Sequence, residues 1–141
     1  MKKIRVLIVD DEILFAQSLC LNLMESGEYE PFVVTDPNLA LETARCVGPD
    51  VILLDLIMPG MNGGQLRRCL QQDPELCDIP VILLTASKNW TTGMEIETGG
   101  DILLSKPVTL ENLRRYLDVK AAERKPAKPL QDEVRYAAVA K

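Results

Sequence analysis

The sequence predicts an α/β fold, a doubly wound parallel sheet with helices on both faces. Short apolar runs rich in Val, Ile and Leu alternate with segments of helical period, as in repeated strand–helix units. Each run has the length and composition of a strand that is covered on both faces. Four of the runs lead into a reactive polar side chain, namely Asp10, Asp55, Thr85 and Lys106. Ligands of such sheets bind outside the carboxyl ends of the strands, so we expect one pocket that holds these side chains and Asp11.

The first half of the chain contains three predicted strands and two predicted helices. The strands cover residues 4–9, 32–34 and 51–55. The first helix spans residues 13–24, and leucines contribute to its buried side. These leucines are Leu14, Leu19, Leu21 and Leu23. The second helix begins at Asp36 and Pro37, an N-cap followed by proline at the first helical position, and it ends near residue 46.

The second half adds two strands and a final helix. The segments are a loop of turn formers at residues 59–64, a helix at 65–72, strands at 81–85 and 102–104, and a helix from the Thr109 cap to 122. The sequence does not decide the secondary structure of residues 89–100, because residues 91–93 are weak helix formers. We therefore expect one domain at residues 1–122 and a linker or tail at 123–141. Leu130, Val134 and Ala137 or Ala138 could line a short helix there, although a frayed tail is favoured.

Composition limits the classes of partner. The formal net charge is −5 and the pI is about 4.8, so the chain lacks the concentrated basic surface that direct nucleic-acid binding requires. No apolar stretch reaches the ~18 residues needed to span a bilayer, and acidic residues come too early for a signal peptide. These features predict a cytoplasmic protein that does not bind membranes.

The reactive-residue inventory excludes several chemistries. The chain contains no histidine, so it cannot form a Ser-His-Asp or Cys-His nucleophile on its own. Any phosphohistidine must come from another protein. The four cysteines lack CxxC spacing, which favours reduced, packed thiols over disulfides or a zinc site.

The aspartates at two strand ends predict a metal site. Right-handed crossovers commonly place the first and third strands side by side, which brings Asp10, Asp11 and Asp55 together. Two like charges ~4 Å apart repel by ~4 kcal/mol at an effective dielectric constant of ~20, so the group requires a raised pKa or a cation. Mg²⁺ suits an open site of this kind, since it accepts one or two carboxylates and keeps several waters. Taken alone, each aspartate would more often be a turn or helix cap, and the joint placement favours the site.

With these residues assembled, residues 3–122 resemble a response-regulator receiver domain. The matching segments are IVDDE at 8–12, DLIMPGMNG at 55–63, TA at 85–86 and KP at 106–107. The resemblance implies a flavodoxin-like fold, with five parallel strands in the order 2-1-3-4-5 and five helices. It also implies a phosphoprotein of two-component signal transduction, a switch that assists its own phosphorylation and dephosphorylation and is not otherwise an enzyme. The implied partners are a sensor histidine kinase or histidine phosphotransfer protein, and a downstream protein or a lost output domain.

The resemblance also assigns roles to individual residues. Asp55 would be the phosphoacceptor, Thr85 would hydrogen-bond the phosphoryl group and Lys106 would neutralise its charge. Asp11 would bind Mg²⁺ directly and Asp10 mainly through water. The remaining protein ligands would be Asp55 and the backbone carbonyl of Ile57. The Lys106-Pro107 bond could be cis or trans, and the sequence does not separate the two.

The departure from the family that bears most on function is at one position. An aromatic residue commonly lies three positions before the lysine, and here that residue is Leu103. The residues that the family uses for phosphorylation are all present. The surface that usually signals phosphorylation to partners is altered, so we do not assume the homodimer that is common in the family. The alternative function is therefore a receiver-fold interaction module that signals without phosphorylation.

Two enzyme or cofactor classes fit less well. A haloacid-dehalogenase-type phosphatase requires an aspartate two residues beyond its nucleophile, where this chain has Ile57. A flavodoxin-like cofactor binder requires Ser, Thr or Gly donors after the first strand. The acidic segment at residues 10–12 would repel a phosphate there unless a metal intervened.

Overall fold

The structure, a computed structural model, describes residues 2–58, 63–86, 94–95 (backbone only) and 102–123. The elements in chain order are β1 Ile4–Val9, α1 Ile13–Ser26, β2 Tyr29–Val34, a 3-10 turn Pro37–Leu39, α2 Ala40–Val47, β3 Val51–Asp55, α3 Gly63–Gln72, β4 Val81–Thr85, β5 Met94–Glu95, β6 Ile102–Ser105 and α4 Leu110–Glu123.

The strands form one sheet in the order β2-β1-β3-β4-β6-β5. All neighbours pair in parallel except β5, which is antiparallel to β6. The predicted fifth strand is therefore β6, and the predicted order 2-1-3-4-5 is confirmed. The apolar runs on β1, β3 and β4 are buried throughout except at Ile4, as expected for strands that are covered on both faces.

Helices cover both faces of the sheet. One core cluster contains Ala40 and Ala44 of α2 together with Leu66 and Leu70 of α3. The opposite cluster contains side chains of α1 and α4. Its helical members are Ala16, Leu19, Leu23, Leu113 and Leu117. The sheet is thus the middle layer of three, and only its edges and strand ends remain for ligands.

Four α-helices lie in the described residues, one fewer than the five that the resemblance implies. The resemblance would place the fifth helix between β4 and β6, where the sequence left residues 89–100 undecided. Met94–Glu95 in that segment forms a strand that pairs with the outer edge of β6. The rest of that segment, most of the predicted loop (residues 59–62) and most of the predicted tail (124–141) lie outside the described residues.

The prediction of the buried face of α1 was wrong for two of its four leucines. Leu19 and Leu23 are buried, but Leu14 and Leu21 are 83% and 58% exposed. Ala16, Leu19 and Leu23 recur at three- and four-residue spacing and define the face that packs on the sheet. Because apolar residues also occur on the opposite face of this helix, sequence pattern alone did not separate the two faces.

Smaller differences occur at element boundaries. β2 begins at Tyr29, three residues before the prediction, and includes Pro31. It lies at the edge of the sheet, where a proline that cannot donate to the ladder is tolerated. Asp36 accepts a hydrogen bond from the Asn38 NH as the predicted cap, although the first turn after it is 3-10.

All four cysteines are free. Cys20, Cys46 and Cys69 lie in helices, but Cys69 and Cys77 are exposed, so the expectation of packed thiols was wrong for these two.

Candidate functional site

The carboxyl ends of four parallel strands meet at one edge of the sheet. Asp55 and Thr85 are the last residues of β3 and β4. Asp10 follows β1, and Lys106 follows β6. Because these strands are neighbours and parallel, the structure brings together the residues that the sequence placed in one pocket. Their chemical roles remain predictions.

Three aspartates form the acidic part of the site. Asp10, Asp11 and Asp55 each offer one carboxylate oxygen, and these oxygens all lie within 4.8 Å of one another. Asp10 is fully buried and Asp55 is 2% exposed, whereas Asp11 is half-buried. Two negative charges at such a distance repel by several kcal/mol, so the cluster requires protons or cations.

The surroundings of Asp55 favour its neutral form. Burial, and then the negative charge of Asp10, raise the pKa of Asp55 to about 7, against the opposing effects of Lys106 and the Ile57 NH. That NH donates a hydrogen bond to Asp55 Oδ1 at 3.2 Å. A bound divalent cation would act in the opposite direction and favour the carboxylate.

Lys106 is the cation nearest these acids in the described part of the chain. Its Nζ lies 2.7 Å from Asp10 Oδ2, 3.0 Å from Glu12 Oε1 and 3.5 Å from Asp55 Oδ2. Burial opposes the charged ammonium, but the close contacts with the Asp10 and Glu12 carboxylates and the negative charges of Asp10 and Asp55 outweigh it and raise the pKa of Lys106. The amine therefore stays protonated and offsets part of the negative charge.

The backbone holds Lys106 at the end of the sheet. Its NH donates to the Thr85 carbonyl at 2.7 Å, which extends the pairing of β4 with β6 by one residue. The Lys106-Pro107 peptide bond is cis, which answers the question that the sequence left open.

Two buried oxygens retain acceptor capacity. Asp10 Oδ2 and Asp55 Oδ2 lack a hydrogen bond of good geometry to any described residue, although Lys106 is within ion-pair distance of both. Buried acceptors of this kind normally have a partner. Carboxylate oxygens are the ligands that Mg²⁺ prefers, so the donor set fits this ion.

The roles predicted for Thr85 and Ile57 do not follow from their observed contacts. Thr85 is 1% exposed at the end of β4. Ile57 is exposed, and its NH contacts Asp55. Metal binding by the Ile57 carbonyl and phosphoryl binding by the Thr85 hydroxyl remain predictions.

Gly63 fixes the backbone beneath Asp55. A Cβ atom at this position would lie 2.4 Å from the Asp55 carbonyl oxygen and 2.5 Å from Leu56 Cα, both backbone atoms that cannot move aside. The Gly63 NH also donates to the Leu56 carbonyl at 2.7 Å. Glycine is thus required for α3 to begin directly against the end of β3. The sequence pattern had indicated only a turn former.

Sequence reasoning missed two contacts of the lysine. Glu12 occupies the N-cap of α1 but makes no capping hydrogen bond, and its carboxylate contacts Lys106 instead. The Phe15 ring centroid lies 4.4 Å from Lys106 Nζ. No local sequence signal links Phe15 with Lys106, since the two residues lie 91 positions apart in the chain.

Leu103, the position that departs from the family pattern, is fully buried. It belongs to the cluster that α2 and α3 cover, together with Leu7, Leu54 and Leu83 of neighbouring strands. The side chain is therefore part of the core.

The fold and the acidic strand ends together define a receiver-type α/β domain. Comparison with known proteins agrees, since the response regulator receiver domain family matches residues 6–118. The chain belongs to this family and is a receiver domain of the kind found in two-component systems. Response regulator receiver domains are signalling switches.

Curated relatives are longer than this chain. The DNA-binding response regulator MtrA of Mycobacterium tuberculosis is 36% identical over 104 residues, which cover 73% of this chain and 44% of MtrA. The phosphate regulon transcriptional regulatory protein PhoB of Escherichia coli is 33% identical over 110 residues, which cover 77% of this chain and 48% of PhoB. The chain spans less than half the length of these two relatives.

Solved structures show the same fold. The receiver domain of the Francisella response regulator 1452 has a TM-score of 0.72 at 28% identity and covers 85% of this chain and 98% of its own. The signal receiver domain of a histidine kinase from Syntrophus aciditrophicus has a TM-score of 0.70 at 27% identity and covers 90% and 96%. Within the described residues, no helix has the length and apolar character to cross a membrane.

Proposed function

We propose that this chain is the phosphoacceptor of a two-component phosphorelay, with Asp55 as the residue that is modified. The observation that carries this proposal is the position of the Asp55 carboxyl. It is 2% exposed, at the end of a central strand, and lies between two further aspartates and a lysine amine 3.5 Å away.

The proposed reaction transfers one phosphoryl group. An Asp55 carboxylate oxygen attacks the phosphorus of a phosphohistidine on the partner, the P–N bond breaks, and the imidazole nitrogen leaves with its electron pair. An acyl phosphate forms on Asp55. Since the chain has no histidine, the phosphohistidine must belong to another protein, for which we propose a sensor histidine kinase or a histidine phosphotransfer protein.

The residues of the site would act mainly by position and charge, as is usual in phosphoryl transfer. Asp10, Asp11, Asp55 and the Ile57 carbonyl would hold Mg²⁺, which when bound offsets the negative charge of the phosphoryl oxygens. Lys106 would place its ammonium beside the same oxygens, and the Thr85 hydroxyl would donate a hydrogen bond to one of them.

The output lies with other parts of the system. MtrA is named as a DNA-binding protein and PhoB as a transcriptional regulator, and this chain matches less than half of each. We therefore propose that the switch controls a downstream protein or an output domain, in the cytoplasm, and that residues 1–122 do not bind nucleic acid themselves. A homodimer remains compatible with this function.

The alternative is a receiver-fold module that signals without phosphorylation. Its main support was Leu103 in place of the usual aromatic residue. However, Leu103 lies in the core, and the acidic cluster and Lys106 are both in place. The proposed phosphoacceptor function accounts for these side chains, whereas the alternative leaves them unused.

Intact-mass spectrometry after incubation with acetyl phosphate and Mg²⁺ tests the proposal. We expect the wild-type chain to gain the mass of one phosphoryl group and Asp55→Asn to gain none. Asp78→Asn makes the same chemical change at an exposed aspartate and serves as the matched control, with modification equal to wild type. A folded wild-type chain that stays unmodified would favour the alternative, and equal modification of Asp55→Asn would place the phosphoryl group elsewhere.

A further inference from the structure

The Phe15 ring makes a contact with Lys106 that the proposed reaction does not explain. Its centroid lies 4.4 Å from the ammonium nitrogen, within the range of a cation–π interaction. Phe15 lies in the first turn of α1 and is half-buried against the core cluster beneath that helix. The ring is therefore anchored by the hydrophobic core on one side and contacts the amine on the other.

The other partners of the Lys106 amine among the described residues are all carboxylates. They are Asp10, Glu12 and Asp55, at 2.7 to 3.5 Å. In the proposed reaction Asp55 becomes an acyl phosphate and Asp10 joins a metal site, so both change their charge or their partner. The Glu12 side chain is 57% exposed, so water competes with the Lys106 amine for its carboxylate. Among the described contacts of the amine, phosphorylation leaves those with the ring and with Glu12 chemically unchanged, and the ring is the more buried of the two.

Lysine is a poor residue for fixed geometry without such support. Its ammonium lies at the end of a flexible four-carbon stem, and the charge is strongly hydrated. Here the side chain is only 7% exposed. An aromatic face attracts the charge through its quadrupole and also excludes water from one side, two effects that an aliphatic side chain of similar size does not combine.

We propose that Phe15 is a positioning residue for Lys106. The Phe15 ring holds the Lys106 ammonium beside the Asp55 carboxyl before and during phosphoryl transfer. This inference rests on the proposed function of Asp55. It predicts that an aromatic face at position 15 is required for full phosphorylation rate, and that its effect acts through the lysine alone.

A double-mutant cycle tests the inference. The measured quantity is the initial rate of phosphorylation by acetyl phosphate with Mg²⁺, followed by intact mass, for wild type, Phe15→Leu, Lys106→Ala and the double variant. We expect Phe15→Leu to be about fivefold slower than wild type, which corresponds to about 1 kcal/mol. In the Lys106→Ala background the same substitution should change the rate by less than about twofold.

Two further variants separate positioning from packing. Phe15→Tyr keeps the aromatic face and should stay within about twofold of wild type. Phe32→Leu makes the same substitution at the only other phenylalanine, on β2 and packed against the opposite core cluster, and should leave the rate unchanged. If Phe15→Leu lacks a cooperative thermal transition, Phe15→Met takes its place, since it fills a similar volume without a ring.

The outcomes distinguish this inference from the proposed function. An unmodified wild-type chain refutes the function of Asp55. A modified wild type with Phe15→Leu equally fast, or with the same slowing in the Lys106→Ala background, refutes the role of Phe15.

NMR adds a readout that is independent of phosphorylation. The ring current should shift the Lys106 ε-methylene protons upfield in wild type and Phe15→Tyr but not in Phe15→Leu. Identical shifts in all three variants would refute the ring contact.

Discussion

At the residue scale, Asp55 combines burial with a neighbouring negative charge. These two effects raise its pKa to about 7 in the metal-free protein, whereas an aspartate in the unfolded chain titrates at ~3.9. Between roughly pH 4 and pH 7 the folded protein therefore binds more protons than the unfolded chain at this residue. The contribution of Asp55 to the free energy of unfolding is present at low pH and is lost as the pH rises through its folded-state pKa.

This argument predicts a pH-dependent difference between wild type and Asp55→Asn. In the presence of a chelator, wild type should lose about 3 kcal/mol of unfolding free energy relative to Asp55→Asn between pH 4.5 and pH 8, because each pKa unit is worth about 1.4 kcal/mol and about two units of the shift take effect within this range. Urea unfolding of both proteins across this range is the measurement. Parallel pH profiles for the two would contradict the shifted pKa of Asp55.

At the element scale, two polar contacts fasten α4 to the start of β2. The Tyr29 hydroxyl donates a hydrogen bond to Asp118 Oδ1 at 2.7 Å, and Arg114 forms an ion pair with Glu28. Tyr29 is itself buried, so burial and then the Asp118 carboxylate raise the pKa of its hydroxyl well above the usual value. These contacts add orientation to the apolar packing of Leu113 and Leu117.

We expect Tyr29→Phe to lower the free energy of unfolding by about 1 kcal/mol, because it removes one hydrogen bond while Asp118 remains accessible to water. Tyr116→Phe is the matched control on α4 itself, since the Tyr116 hydroxyl has no hydrogen bond to another described residue, and its effect should be near zero. Chemical denaturation at pH 7 measures both. Equal effects of the two substitutions would show that the Tyr29–Asp118 hydrogen bond contributes nothing specific.

At the scale of the whole molecule, the parallel sheet collects negative charge at one edge. Residues that are 45 positions apart, Asp10 and Asp55, become neighbours because β1 and β3 pair in parallel. One lysine amine offsets only part of that charge. The folded domain thus contains an acidic cluster that the unfolded chain lacks, and we expect binding of a cation to this cluster to stabilise the fold.

Added Mg²⁺ should therefore raise the midpoint of thermal unfolding. At a concentration tenfold above Kd the stabilisation should be about 1.4 kcal/mol. Asp11→Asn should lose most of this stabilisation, since Asp11 is a predicted ligand, whereas the exposed Asp78→Asn variant should retain it. Differential scanning calorimetry with NaCl at matched ionic strength separates binding from screening. An equal shift with NaCl, or in Asp11→Asn, would argue against the site.

The sequence by itself determined the strands and the polar residues at their carboxyl ends. Short runs of Val, Ile and Leu, the residue at the end of each run and the capping residues Asp36 and Thr109 are local signals, and the structure retains them. Because the carboxyl ends of parallel strands meet at one edge, these local signals also predicted that Asp10, Asp55, Thr85 and Lys106 would share a pocket.

Only the tertiary structure decided which surfaces of those elements meet. The exposed position of Leu14 on α1 and the need for glycine at position 63 depend on how each helix lies against the sheet. The contact of Phe15 with Lys106 joins residues from opposite ends of the domain. Such contacts are set by strand order and helix rotation, which are fixed by packing of the whole core and leave no periodic trace in the sequence.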